Sequence, residues 1–168
     1  MNDDFDVLVD KLQEQIIDEA KEVFGEAGVE RWLNPKYNGR MQNCDTSASI
    51  KGKCGDTMEI FLKFDRNRVK SASYFTDGCP SSSICGSITA EMALEKDSDE
   101  LTEITGDAVM KKIGRFPEEK KHCAFLATET LQEALRCFMI HETNKNKLFS
   151  GNVTVKKKRN TLSWLKES

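Results

Sequence analysis

The sequence predicts an α+β fold, because strand-like and helix-like segments are segregated along the chain. Two patterns carry this reading. Three consecutive strand-like segments lie between residues 45 and 76, the second of them strictly alternating. Before and after them, apolar residues recur at spacings of three and four. A length of 168 residues suits one domain with appendages, and 38% apolar residues supply one modest core.

The first helix covers residues 5–24, where Phe5, Leu8, Leu12, Ile16, Ala20 and Val23 form a stripe that Gly25 and Gly28 close. Residues 29–33 add a short helical stretch that stops at Asn34-Pro35, since the residue before proline avoids the helical region. A loop follows to Met41, with turn chemistry at Tyr37-Asn38-Gly39. Residues 45–51 read as an edge strand, and Gly52 to Asp56 as a glycine-flanked turn. Met58, Ile60, Leu62 and Phe64 share one face of a second strand. Asp65 to Arg68 reads as a tight reversal and residues 69–76 as the antiparallel partner. Asp77-Gly78-Cys79-Pro80 ends that strand.

Residues 81–96 read as a helix with Ser81, Ser82 and Ser83 as N-cap candidates. Short helices over 99–104 and 107–113 are separated by Gly106. The last core helix spans 118–140, with Phe125, Leu126, Thr130, Leu131, Leu135 and Phe138 on its buried stripe. From Asn144 the chain becomes polar and basic; Lys156 to Arg159 reads as a solvated run, and Trp164 and Leu165 lie beyond it. The expected organisation is an N-terminal helical extension (1–28), a central domain (29–143) and a basic tail (144–168).

A net charge of −3 and a pI near 5.5 argue against a nucleic-acid binder. The acidic start, MNDDFDVLVD, is neither the basic n-region of a signal peptide nor an Arg-rich transit peptide. No apolar run reaches the roughly 18–20 residues of a membrane span. The expectation is a soluble, cytoplasmic protein that binds neither nucleic acid nor membrane. In that reducing compartment, six cysteines point to metal or thiol chemistry rather than to disulfides.

The cysteines divide by context. Cys54 lies in the turn before the second strand and Cys79 in the turn after the third. A hairpin returns its far end to the level of its start, so these two turns share one edge of the sheet. Asp56 stands two residues after Cys54, which in an extended segment places both on the same side. Cys123 follows Lys120, Lys121 and His122 near the start of the last helix, where lysines and the helix N-terminus favour the thiolate. Cys85 and Cys137 fall within helices and read as small buried side chains; Cys44 is in a loop and carries no assignment. Three thiolates with a carboxylate or imidazole can ligate zinc or an iron–sulfur cluster. The spacing matches neither the paired knuckles of a zinc ribbon nor the compact runs of ferredoxins.

Taken together, Asn34-Pro35 with Gly39, Cys54-Gly55-Asp56, Gly78-Cys79 and Lys120-Lys121-His122-Cys123 resemble the signature of the IscU/NifU-type iron–sulfur scaffold proteins, in order and spacing, over about residues 29–140. The resemblance implies a three-stranded antiparallel sheet with helices packed on it, here with an extra N-terminal helix. It implies a non-enzymatic scaffold that receives sulfur from a cysteine desulfurase, combines it with iron, and passes a labile [2Fe-2S] or related cluster to acceptor apoproteins. Zinc can fill such a site in place of the cluster. The family's three cysteines fall on Cys54, Cys79 and Cys123, its aspartate on Asp56 and its histidine on His122. The sulfur-handling positions fall on Cys54, Cys123 and Lys120. The family's chaperone-binding Leu-Pro-Pro-Val-Lys segment is replaced by Phe116-Pro117-Glu118-Glu119-Lys120, whose acids put chaperone binding in question. Two further readings stand beside the scaffold: a zinc-containing sulfur acceptor using Cys54 or Cys123, and a structural zinc module. The N-terminal helix either packs on its own domain or forms a homodimer or partner contact.

Overall fold

Antiparallel pairing of three strands follows directly from the alternation in the sequence. The computed structural model describes the backbone of residues 3–154 and the side chains of residues 5–147. Strand β1 (Thr46–Lys51) pairs with β2 (Thr57–Asp65), and β2 with β3 (Arg68–Thr76), in the order β1-β2-β3. The reversal is a two-residue turn: Arg66 and Asn67 have φ of 49° and 65°, the doubly left-handed turn whose twist matches that of the flanking strands. Met58, Ile60 and Leu62 are fully buried on one face of β2, beside Val69, Ala72 and Tyr74 of β3. A register shift between Lys63 and Phe64 marks the end of this regular alternation.

The helices cover that face. Helix α2 (Pro80–Ala93) packs on β3, and α5 (Lys121–Thr154) lies across β1 and β2. Between them α3 (Ser98–Thr102), α4 (Gly106–Ile113) and a single 3-10 turn (Glu118–Lys120) close the core. Gly86 on α2 is required by a close approach: a Cβ there would enter the ring of Tyr74, whose hydroxyl lies 2.8 Å from Ser83 Oγ. The Thr46 hydroxyl donates to the carbonyl of Ala134 at 2.7 Å and ties β1 to α5. The free edge of β3 is masked by the loop after α1, since Gly39 N–H donates to the Tyr74 carbonyl and Tyr74 N–H to that of Tyr37.

Helix α1 (Asp3–Leu33) is one element in two segments, broken at Gly25 (φ 70°, ψ 170°), the position at which the sequence stops the first helix. Beyond the kink, Gly28 and Val29 are buried, and Arg31 pairs with Glu91 of α2, which Lys112 also reaches at 2.9 Å. At the kink, the rings of Phe24 and Phe116 meet at 6.1 Å. Before it, the stripe stays in solvent, with Phe5 68% exposed.

Three expectations change. Helix α2 ends at Ala93 rather than Lys96, because Glu95 turns left-handed (φ 61°) and exchanges backbone hydrogen bonds with Val69 through its own N–H and the Lys96 carbonyl. Helix α5 runs on to Thr154 instead of ending at Ile140. Phe125 is not buried on α5; it is 41% exposed and lies over Gly106. Residues 155–168, with the Lys156–Arg159 run and Trp164, lie outside the described residues. No helix among the described residues is long and apolar enough to cross a membrane.

Candidate metal centre

The hairpin register builds the site. Met58 pairs with Thr76, which sets the turn before β2 against the turn after β3. Two hydrogen bonds join these turns, Thr57 N–H to Asp77 Oδ1 (2.6 Å) and Thr76 Oγ1 to the Thr57 carbonyl (2.7 Å), and Gly78 N–H donates to Thr76 Oγ1 (3.1 Å) within the second. Asp56 then reaches across to the start of α2. Its Oδ2 accepts from the Ser82 hydroxyl at 2.6 Å and from the Cys79 N–H at 3.3 Å. Gly78 makes room for this carboxylate, since a Cβ there would collide with it. Cys79 is the N-cap residue of α2 with Pro80 after it, and offers no side-chain cap of its own. Asp56 supplies the anionic acceptor that the helix start favours.

Helix α5 brings in Cys123, its third residue. One ligand atom from each of Asp56, Cys79 and Cys123 lies within 4.8 Å of the other two. The Ser82 hydroxyl and the Cys79 N–H hold the Asp56 carboxyl below its usual range. Cys123 behaves oppositely to expectation. Its side chain is fully buried, and burial pushes its thiol up to about 11 against the pull of the Ser82 hydroxyl. Desolvation disfavours a charged thiolate more than nearby lysines and a helix N-terminus favour it.

Of the sequence-predicted set, the structure brings together Asp56, Cys79 and Cys123. Cys54 stands apart from the trio and is exposed. The segment between Cys54 and Asp56 is not extended: Gly55 has φ of 93°, and its N–H closes a turn onto the Gly52 carbonyl. The strand alternation that would put Cys54 and Asp56 on one side therefore does not apply here. Cys54 is still close enough for its charge to help raise the Cys123 thiol. His122 is exposed, and its charge contributes to lowering Asp56. Lys120 is half-buried at the end of the 3-10 turn. Cys85 is fully buried, as expected, but stands behind the site, where burial and then the Cys123 and Cys79 charges raise its thiol.

Ser82 escapes the sequence reading, which sees it only as a capping candidate. It is fully buried, holds Asp56, and lies 3.8 Å from Cys79 Sγ. Its sequence signal is a serine three residues after a cysteine that opens a helix at Pro80, which points Ser82 back at that cysteine's end of the helix.

Residues 8–145 match the family model described as the NifU-like N terminal domain. The chain belongs to this family. Similar sequences carry IscU names. Iron-sulfur cluster assembly scaffold proteins IscU 1 and IscU 2 of Archaeoglobus fulgidus are each 33% identical over 107 residues, covering 63% of this chain and 70% of theirs. The Drosophila melanogaster protein named iron-sulfur cluster assembly enzyme IscU is 27% identical over 128 residues, covering 73% and 82%. Among solved structures, a NifU-like N-terminal protein from Brucella abortus superposes with a TM-score of 0.57 at 18% identity, covering 71% of this chain and 96% of the other. That likeness concerns the fold: a NifU-like three-stranded antiparallel sheet carrying packed helices, here with an N-terminal helix added.

Proposed function

We propose that this NifU-like chain is a non-enzymatic scaffold on which a labile [2Fe-2S] cluster is assembled from iron and desulfurase-derived sulfur, then handed to acceptor apoproteins. The observation that carries this is the meeting of two thiols and one carboxylate within 4.8 Å, drawn from three separate elements. The donor set fits the cargo. Thiolates suit iron–sulfur clusters, and a harder carboxylate in the remaining position holds iron less firmly than a fourth thiolate. On this reading Cys79 and Cys123 are interior ligands, with Asp56 as the non-thiolate ligand and exposed His122 as its competitor. Cys54, the exposed thiol, receives sulfur first and completes the ligand set, while Lys120 and Cys123 border that transfer. The scaffold unit is residues 29–143, flanked by the 1–28 extension and the basic tail from 144. A reducing cytoplasm suits six cysteines that all stand free.

One observation favours a second reading, a zinc-containing sulfur acceptor. Cys54 lies outside the trio, so Asp56, Cys79 and Cys123 could hold zinc with one position open while Cys54 accepts sulfur. Anaerobic incubation with ferrous iron, a cysteine desulfurase and excess cysteine, which serves both as sulfur source and as the thiol reductant that takes sulfane sulfur to sulfide, separates the two. Visible charge-transfer bands with iron and acid-labile sulfide in equal amounts are expected. A colourless product that retains one zinc and carries a persulfide on Cys54 would overturn the scaffold reading in favour of the sulfur acceptor.

A further inference from the structure

The segment of α1 before its kink is a helix that its own domain leaves uncovered. Phe5, Leu8, Leu12 and Ile16 are each at least half exposed, although their spacing sets them on one face. An isolated helix of this length is marginal in water, and an exposed apolar stripe marks a contact surface. This arm is also strongly charged: from residue 3 to residue 26 it has nine carboxylates and two lysines. Two arms laid against each other would juxtapose like charges, which opposes arm-to-arm pairing.

The complementary pattern stands at the other end of the sequence. Residues 155–168 hold Lys156, Lys157, Lys158 and Arg159 in a row, then Leu162, Trp164 and Leu165, with one carboxylate, Glu167. Clustered cations next to large apolar side chains match an acidic helix with an apolar stripe. A groove of about 430 Å3 spans the kink, with Ile17 on one side and Ala27, Val29 and Leu33 on the other. That volume admits a bulky apolar side chain.

We propose that the acidic arm docks the basic C-terminal segment, residues 155–168, of a second copy of this chain. Reach decides between the same chain and another. The kink touches Arg115 and Phe116, just ahead of α5. Helix α5 then runs 34 residues, about 50 Å at 1.5 Å per residue. The four clustered cations follow within five residues of Thr154, a span of roughly 18 Å at full extension. In their own chain the four cations therefore stay roughly 30 Å or more from the start of α5, whereas a second copy placed head to tail aligns the whole segment with the arm. Two such contacts about a twofold axis close a dimer.

The experiment is sedimentation of the full chain under reducing conditions, with and without added metal, at about 50 mM and 500 mM salt. A dimer at low salt that dissociates at least tenfold more readily at high salt is expected, because the contact is ionic and exposed. Three variants should be monomeric with unchanged far-UV dichroism of the core: a chain ending at Thr154, a chain lacking residues 2–24, and the triple variant K156E, K157E, K158E. Cross-linking in a mixture of isotopically light and heavy protein should join the segment of one copy to the arm of the other. A monomeric full chain, a dimer that survives truncation at Thr154, or cross-links confined to one copy would each overturn the proposal. None of these readouts depends on cluster assembly.

Discussion

Ser82 fixes where the Asp56 carboxylate rests: on a buried hydroxyl at 2.6 Å and a helix-start N–H at 3.3 Å. A ligand with a stable resting place leaves the metal readily, so Ser82→Ala is expected to prolong cluster half-life against a chelator or an apo-acceptor, by several-fold. Asp56→Ala should act in the same direction, by leaving that iron position to a softer donor such as His122. If Ser82 works through Asp56, Ser82→Ala should add nothing in the Asp56→Ala background, and a double-mutant cycle reads this directly. Faster loss in Asp56→Ala would make Asp56 a stabilising ligand, and faster loss in Ser82→Ala would refute the resting-place account. Replacing Cys54, Cys79 or Cys123 by Ala should each abolish stable assembly while leaving far-UV dichroism intact; full retention would remove that cysteine from the ligand set. Residue types were legible in the sequence here, but their environments were not. Cysteines beside glycine-rich turns announce Cys54 and Cys79, whereas the bond from Asp56 to Ser82 spans 26 positions and exists only once the hairpin register and the α2 start are both in place.

Elements were legible wherever periodicity was strong. Alternation along β2 sets its buried face, and the Asp65–Arg68 reversal follows from a two-residue loop. Boundaries set by tertiary contact were not legible: α2 stops where Glu95 bonds to Val69, a pairing that no local propensity encodes. The packing of α2 on β3 depends on Gly86. Gly86→Ala places a methyl group in the Tyr74 ring and should destabilise the domain by roughly 1–3 kcal/mol, the usual range for overpacking a core. Urea unfolding with an unchanged slope would measure this, and a midpoint equal to wild type would show that the Tyr74 ring moves aside freely. The N-terminal stripe was equally legible as a helix, but periodicity says only that a face seeks cover, not what covers it. Because the arm makes so little contact with the core, removing residues 2–24 should leave the urea midpoint within the error of the measurement.

At the scale of the whole molecule, the site's thiols tie stability to pH. Cys123 keeps its proton up to about 11 in the folded chain, whereas an unfolded cysteine loses it near 8.5. Below pH 8 the thiol is neutral in both states and contributes no difference. As pH rises from 9 toward 11 the unfolded chain ionises first and holds fewer protons, so the folded state loses stability across that window. A shift of this size corresponds to roughly 3 kcal/mol, and the buried Cys85 thiol acts in the same direction. Asp56 works at the opposite end: its lowered carboxyl adds stability above the usual carboxylate range near pH 4, and that stability is lost as acid protonates it. If Cys123 is a ligand, as the scaffold reading has it, metal displaces its proton, so loading should release protons and strengthen with pH through the neutral range. Urea unfolding of metal-free, reduced protein at pH 7.5, 9 and 10.5 should therefore show falling midpoints, and Cys123→Ser should flatten part of that fall. A midpoint that holds constant to pH 10.5 would mean that water reaches Cys123 in solution, and that its thiolate forms without waiting for metal.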